Sequence, residues 1–412
     1  MSSRVAITKL RECDFDAAVR QAIDLAGGLA DLIKSDTRVV VKPNLARLAP
    51  SASGAVTDAR VTEAVTKAVL DLNPASVTIA EGTAVGYDDS CLSTEEVYRL
   101  SGTEAVAHSL GVPCVYLNRD EAVPVEVPSP RAMDRILIAR SILDADVLIS
   151  VPVLKTHPRC NATISLKNLW GCVPGTEKRA GHMLGINAAL VDLLSVLRPT
   201  YSIVDATVAA EGFWRVPEDS RVMGLMLAGG DAVAVDVVGC ALMGIDPDSV
   251  FYLREIMKRD GLITGLQDIQ VVGESVSDHA EQFKQSFDLF MEGFPDVNVV
   301  YGPSFCGGCV AELVSALNHI RDAGYGERLK GLTLVVGGPE EDFERTDKMA
   351  FIGECSVDLA EGAPGVGGCP PDEDSVFEAI CAACGADLPL VLSVRDETRR
   401  RKWDDSMHLV GQ

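Results

Sequence analysis

Short runs of valine, isoleucine and leucine alternate with amphipathic segments from the start of the chain. The first such unit has a strand-like run at 38–42, a helical pattern at 59–72 and a second strand-like run at 76–80. Apolar runs of this length, without regular polar positions, are typical of strands that are buried on both faces, as in parallel sheets. The repeated order of strand, helix and strand therefore predicts an α/β fold with a mainly parallel sheet.

This alternation weakens between Gly273 and Asp296, where serines and charged residues replace the apolar runs, and it restarts at Val297. A break of this kind is typical of a domain boundary in a chain of this length. The basic run near the C-terminus is predicted to be solvated surface. The predicted layout is a larger α/β domain over 1–275, a linker over 276–296, a smaller α/β domain over 297–394 and a basic tail over 395–412.

Composition narrows the set of partners. The 412 residues carry a formal net charge of -23 at pH 7, which argues against nucleic acid or an anionic membrane as the main partner. The longest apolar stretch, from Leu225 to Ile245, is broken by Asp231 and Asp236, and the N-terminal residues lack the apolar core of a signal peptide. We therefore expect no membrane span and a cytoplasmic location, where clustered cysteines bind metal or do redox chemistry.

Four cysteines in the last quarter of the chain form the most specific pattern. Cys306 and Cys309 belong to Cys-Gly-Gly-Cys, Cys355 to Gly-Glu-Cys, and Cys369 to Gly-Gly-Cys-Pro-Pro. Ligands of parallel sheets bind beyond the carboxyl ends of the strands, so the first three, which follow predicted strands, are expected to share one edge. Four thiolates suit a tetrahedral zinc ion or an iron–sulfur cluster. The spacing by itself leaves both centres open.

These motifs resemble the flavodoxin-like, cluster-binding part of nickel–iron hydrogenase small subunits and of related quinone oxidoreductases. The resemblance covers roughly residues 297–385. It implies a flavodoxin-like fold and a 4Fe-4S cluster held by Cys306, Cys309, Cys355 and Cys369. It also implies a redox partner protein or a large subunit. The alternative is a zinc ion at the same cysteines, which would stabilise the domain without transferring electrons.

A second polar segment, residues 155–182, follows a buried strand, where a crevice of the larger domain is expected. It contains Lys155, His157, Lys167 and His182. Imidazole suits both proton transfer near neutral pH and metal coordination, and lysine suits phosphate or carboxylate groups. This segment is therefore predicted to bind a small-molecule substrate.

The same segment resembles a family known as domain of unknown function 362, in which Lys-x-His, Leu-Lys-Asn-Leu-x-Gly and a later histidine recur. Other similar motifs are Val41-Lys-Pro-Asn-Leu45, Thr57-Asp-Ala-Arg60 and Ala234-Val-Asp236. Members are often iron–sulfur proteins with appended cluster domains, which the resemblance therefore implies here as well. Lys42, Asn44 and Lys155 are the candidate ligand-binding residues.

The order of His157, Lys167 and His182 is also similar, more distantly, to that in nickel-dependent lactate racemases. This likeness implies that His157 moves a proton, that Lys167 binds a cofactor or an anion, and that His182 binds a metal. A second metal or an organic cofactor would then occupy the histidine site.

Three functions follow from these patterns. The preferred hypothesis is a 4Fe-4S oxidoreductase or electron-transfer component that acts on a small ligand or cofactor near these three residues. The alternatives are a nickel-dependent isomerase and a non-enzymatic module held together by zinc.

Overall fold

The computed structural model of the chain describes residues 3–84, 93–175, 177–214, 217–302, 304–339 and 343–408. The chain divides into two compact units. Unit 1 comprises Met1–His157, Ala162–Pro247 and Tyr252–Phe283, and unit 2 comprises Pro158–Asn161, Asp248–Phe251 and Lys284–Gln412. Within the described ranges, none of the helices combines the length and the apolar character needed to cross a membrane.

The larger sheet contains ten strands within the described residues. The strands before residue 284 are β1 (Ser3–Lys9), β2 (Arg38–Pro43), β3 (Ser76–Glu81), β4 (Cys114–Tyr116), β5 (Ala122–Glu126), β6 (Arg135–Ala139), β7 (Val147–Val151), β8 (Val153–His157), β9 (Asn161–Thr163), β10 (Tyr201–Ala210), β11 (Ser220–Gly229) and β12 (Ile269–Gly273). The main path is β12-β1-β11-β10-β7-β2-β3-β4, β8 pairs with β10 and β9, and β5 pairs with β6 separately. The segment from β10 to β4 is parallel, whereas β11 is antiparallel to both of its neighbours. The predicted, mainly parallel α/β fold is confirmed.

Helices cover the buried strands of unit 1, as the alternating pattern predicts. The helices that begin before residue 284 are α1 (Phe15–Leu25), α2 (Ala59–Leu70), α3 (Thr94–Leu100), α4 (Thr103–Leu110), α5 (Arg140–Leu143), α6 (Ser165–Asn168), α7 (Glu177–Met183), α8 (Ile186–Val196), α9 (Ala232–Leu242), α10 (Phe251–Asp260) and α11 (Val276–His279). One apolar core joins α1 and α2 to β2, β3 and β7. Asp58 caps α2, and a capping box of Ser93 and Glu96 opens α3.

Unit 2 is built on a second, smaller sheet whose described strands are all parallel. Its strands, in spatial order, are β13 (Asn298–Tyr301), β14 (Thr333–Val336), β15 (Met349–Ile352) and β16 (Gly365–Val366). Its helices are α12 (Ser286–Met291), α13 (Gly307–Ile320), α14 (Glu373–Cys384) and α15 (Leu388–His408). The apolar faces of α13 and α14 pack with β14 and β15 into one core.

Helices occur in both segments that the sequence pattern predicts as a linker and a tail. The short helices α11 and α12 lie within 276–296, where the sequence pattern predicts a linker. Helix α15 begins before the predicted tail, and its Val391 is fully buried. Within the predicted tail, Arg395 is 7% exposed and pairs with Asp374 of α14. The described part of 395–412 is therefore not simply solvated surface, because a carboxylate and an apolar core hold the start of the helix.

A buried carboxylate fixes the beginning of α6, the short helix that carries Lys167. Asp236 of α9 is 0% exposed and accepts hydrogen bonds from the backbone nitrogens of Ser165 at 2.8 Å and Leu166 at 3.2 Å. Burial raises the pKa of Asp236 to about 8, although these two bonds act in the opposite direction. The position of Lys167 therefore depends on a residue that is about 70 positions away in the sequence.

Replacement of this carboxyl group is expected to change the pH dependence of stability. A carboxyl whose pKa is higher in the folded chain than in the unfolded chain stabilises the fold most at low pH. Its contribution is lost as the pH rises from about 4, the ordinary value for aspartate, towards 8. In urea unfolding at pH 5, 7 and 9, the Asp236→Asn variant should therefore gain stability relative to the native chain as the pH increases. Parallel pH profiles for the two proteins would contradict this assignment.

Candidate functional site

Three polar side chains of unit 1 lie at the carboxyl ends of strands in the parallel part of the sheet. Lys42 is near the end of β2, Glu81 ends β3, and Lys155 lies in β8, which continues from β7 after Pro152. Open parallel sheets bind their ligands at this edge. The sheet therefore collects groups from distant parts of the sequence into one place.

Lys42 and Glu81 form a buried ion pair. Their exposed fractions are 0% and 1%, and the Lys42 ammonium donates to the Glu81 carboxylate. Burial raises the pKa of Glu81, and the charge of Lys42 opposes this rise. A methyl group at Gly171 would collide with both charged groups. Glycine at the end of the Leu-Lys-Asn-Leu-x-Gly motif thus allows the backbone to close over the pair.

Asn168, from the same motif, connects this pair to the other predicted ligand-binding residues. Its Oδ1 accepts hydrogen bonds from Asn44 Nδ2 at 3.0 Å and from Lys42 Nζ at 3.3 Å. Asn44 Oδ1 in turn accepts from Lys155 Nζ at 2.8 Å. The structure therefore brings Lys42, Asn44 and Lys155 into one buried network.

Lys155 is buried, and the charges of two other basic residues act on it. Its side chain is 1% exposed, and Nζ also donates to the carbonyl oxygen of Ala55 at 2.6 Å. Burial lowers the pKa of Lys155 well below its usual range, and the charges of Lys167 and Arg47 lower it further, while Glu81 opposes them. Lys167 is thus close enough to Lys155 to repel its charge, as expected if both belong to one binding site.

The two candidate histidines each lie beside a tryptophan. His157 ends β8 and shares a strand face with Lys155, and its ring centroid is 6.3 Å from that of Trp214. His182 lies in α7, with its ring centroid 6.3 Å from that of Trp170. The proton-transfer role of His157 and the metal-binding role of His182 stay predictions.

Several residues of this site received no role from the sequence. Glu81 directly follows the run predicted as a strand, and Asn168 lies within the recognised motif, so both had a usable signal. Lys178 had none, although it is 2% exposed and donates to the carbonyl oxygen of Thr83 at 2.7 Å. Trp214 had none either, because its place depends on how a loop folds back.

The four cysteines of unit 2 lie beyond the carboxyl ends of parallel strands. Cys306 and Cys309 follow β13, Cys355 follows β15, and Cys369 follows β16. The shared edge predicted for the first three is confirmed by the parallel register of the sheet. The fourth joins them because β16, which the sequence pattern does not reveal, adds a parallel edge strand.

Two of these thiols, those of Cys309 and Cys355, lie beside Gly353. Its φ is +93°, and a Cβ atom there would lie 3.0 Å from Cys309 Sγ and 3.8 Å from Cys355 Sγ. The same point is 4.0 Å from the carbonyl oxygen of Gly368, the residue before Cys369. Burial raises the pKa of the Cys309 thiol, and the charges of Cys306, Cys355 and Cys369 raise it further.

A pair of glycines after β14 allows the cysteine loops to approach each other. Gly337 and Gly338 have φ values of +77° and +62°. A Cβ atom on Gly337 would collide with the backbone of Phe305, which precedes Cys306, and one on Gly338 would collide with the carbonyl oxygen of Cys355. The loop therefore passes between both cysteine loops only because it lacks side chains.

Two further thiols of unit 2, and one oxygen of a carboxyl group, are buried in its helices. Cys381 and Cys384 are buried in α14, as packed helical thiols, and burial raises the pKa of Cys381 to about 12. Glu312, one turn beyond Cys309 in α13, has a buried Oε2 without a hydrogen-bond partner among the described residues. Across the described ranges, no three His, Cys, Asp or Glu side chains are spaced to hold a single metal ion.

Several known proteins are similar to part of this chain. A protein 28% identical over 240 residues is the thylakoid-associated protein sll1697 of Synechocystis sp., and the aligned part covers 57% of this chain and 71% of that protein. Among solved structures, the lactate racemase apoprotein of Thermoanaerobacterium thermosaccharolyticum has a TM-score of 0.40 and 12% identity, over 60% of this chain and 57% of that one. A protein of Thermotoga maritima has a TM-score of 0.34 and 14% identity, over 55% and 56%. Likenesses of this size carry no inference about activity.

The family comparison is more specific. The model described as domain of unknown function (DUF362) matches residues 39–241. This range includes Lys42, Asn44, Lys155, Lys167 and the rest of the buried network, and it ends before the four cysteines of unit 2. Residues 39–241 of this chain are thus similar to the DUF362 family.

Proposed function

We propose that this chain is an iron–sulfur redox protein, in which unit 2 holds a 4Fe-4S cluster through Cys306, Cys309, Cys355 and Cys369. Such a cluster, when bound, exchanges single electrons with a partner protein or a bound ligand. The observation that carries this proposal is the meeting of cysteine loops around Gly353, where a Cβ atom would take up space beside two thiols.

The electrostatics of the thiols support a positively charged occupant. Cys309 is 7% exposed. Each neighbouring cysteine that ionises makes the ionisation of Cys309 less favourable. A metal centre removes this repulsion, because it binds thiolates and neutralises their charge. The four side chains therefore have a physical reason to share one occupant.

A zinc ion and a 4Fe-4S cluster require different spacings of the four sulfurs. Four thiolates around one zinc ion have sulfurs about 3.8 Å apart, given a Zn–S distance of about 2.3 Å. The described side chains lack a group with the spacing of a single-ion site. A cubane cluster binds each of its four thiolates at a separate iron, so it accepts a wider arrangement.

In this proposal, unit 1 provides the site for a small ligand or cofactor. Lys42, Asn44 and Lys155 form the buried network, and Lys167 adds a charge next to it. His157, at the end of β8, is the candidate for proton transfer because its ordinary pKa is close to neutrality. His182 is the candidate metal ligand should the ligand site also contain a metal.

Metal analysis tests the identity of the centre. The full-length chain, purified and reconstituted without oxygen, should contain about four irons and about four acid-labile sulfides and give an EPR signal after reduction. Cys306→Ser should remove most of the iron, whereas Cys381→Ser, which changes a buried thiol outside the site, should retain it. Stoichiometric zinc with no iron–sulfur signal in the native chain would refute the proposal.

A pair of glycine variants tests whether the space beside Gly353 is needed. Gly353→Ala and Gly362→Ala introduce alanine at almost the same φ, +93° and +95°, so both should lose about 1–2 kcal/mol of stability from backbone strain. Only the first places its methyl group against cysteine sulfurs, since the Cβ position at Gly362 has no heavy atom within 4 Å. Iron and sulfide content should therefore fall by more than about half in Gly353→Ala alone. Equal cluster content in the two variants would show that the thiols do not enclose a centre there.

A further inference from the structure

The ligand site of unit 1 has more positive than negative charge close to Lys155. Lys167 and Arg47 both act on its ammonium, and the opposing carboxylate, Glu81, already accepts the ammonium of Lys42. Gathering like charges in a buried place is unfavourable unless a group of opposite charge joins them. The excess charge therefore favours a negatively charged ligand.

Trp214 contacts both Lys155 and Arg47, and its backbone has an unusual conformation. Its φ is +43°, in the left-handed region that non-glycine residues rarely adopt, and Arg47 Nη1 donates to its carbonyl oxygen at 3.0 Å. The Lys155 ammonium lies 4.5 Å from its ring centroid and the Arg47 guanidinium 5.3 Å. Backbone strain of this kind is concentrated at ligand-binding and catalytic sites.

The indole N–H of Trp214 is buried and has no acceptor among the described residues. A buried donor without a partner costs about 1–3 kcal/mol, so native structures rarely retain one without a reason. Trp170, which is 6% exposed and lies beside His182, has a buried indole N–H in the same situation. Each candidate histidine thus has a neighbouring donor for which the described chain supplies no acceptor.

We propose that the ligand of unit 1 is a small anion that carries a carboxylate or phosphate group, which accepts the Trp214 indole N–H and is neutralised by Arg47 and Lys155. This proposal deepens the ligand-binding part of the proposed function and does not depend on the cluster. Carboxylate and phosphate share the chemistry that the site offers, because both are compact anions with several acceptor oxygens. The guanidinium of Arg47 suits either one through paired N–H donors.

Isothermal titration calorimetry on the full-length chain tests this assignment. Inorganic phosphate and oxalate are titrated separately at constant ionic strength, with sodium chloride as the control for screening. Saturable binding of one or both anions is expected, and which of them binds identifies the group. Saturation should also change the tryptophan emission of the native chain, which has three tryptophans. Heats no larger than those of chloride for both anions would overturn the proposal.

Variants then locate the anion. Arg47→Gln and Trp214→Phe should each weaken binding about tenfold, the effect of losing one charged or buried hydrogen bond. Arg20→Gln is the matched control, since this arginine pairs with Asp71 at the surface of unit 1 and should leave affinity unchanged. Circular dichroism verifies that each variant folds. The change in tryptophan emission is measured on the native chain, so it tests anion binding even if a variant fails to fold. Unchanged affinity in folded Arg47→Gln and Trp214→Phe would show that the anion binds elsewhere.

The same preparations separate this proposal from the redox proposal. Iron and sulfide are measured on each sample before titration. Anion binding without a cluster would refute the redox function alone, and a full cluster without anion binding would refute the anion site alone.

Discussion

The buried ion pair between Lys42 and Glu81 is the interaction on which the site of unit 1 depends. Two charges removed from water are stable only with good mutual geometry and further hydrogen bonds, and removal of one partner costs roughly 3–5 kcal/mol. Here Asn168 bonds to Lys42 and the backbone at Gly171 closes over both charges. The motif Leu-Lys-Asn-Leu-x-Gly therefore has a structural role that is separate from any reaction. Its asparagine accepts a hydrogen bond from Lys42, and its glycine lets the backbone cover the charge pair at the ends of β2 and β3.

Unit 2 also brings groups of like charge close together, in this case cysteine thiolates. Ionised cysteines repel each other, so loops that carry them stay together only if the backbone permits close approach and an occupant removes the repulsion. Gly337, Gly338 and Gly353 provide the approach, each at a positive φ that a side chain would strain. In both units, glycines at special positions let reactive groups gather beyond the carboxyl ends of parallel strands. This common placement follows from the sheet type, because all of those strand ends lie on one edge.

The two units differ in what the surroundings of their sites favour. Around Lys155 the charges are mainly positive, and the buried indole N–H of Trp214 lacks an acceptor within the described chain, which suits an anion. Burial and the charges of the neighbouring cysteines raise the pKa of the Cys309 thiol, and the proposed metal centre would remove this repulsion. The match to the DUF362 model covers the first site and ends before the second, so it bears on the lysine network and gives no information about the cysteines of unit 2.

The sequence by itself determined the alternation of strands and helices, the parallel sheets, and the positions of Cys306, Cys309 and Cys355 after strands, because these depend on local apolar patterns and on one rule of sheet geometry. It also indicated Lys42, Asn44 and Lys155, since polar residues at the ends of buried strands stand out. Only the tertiary structure decided that Asn168 joins them, that Asp236 holds the helix of Lys167, and that Trp214 covers Lys155. These contacts link residues that are far apart in the chain, and no local pattern encodes which distant side chain will fill a given place in a folded core.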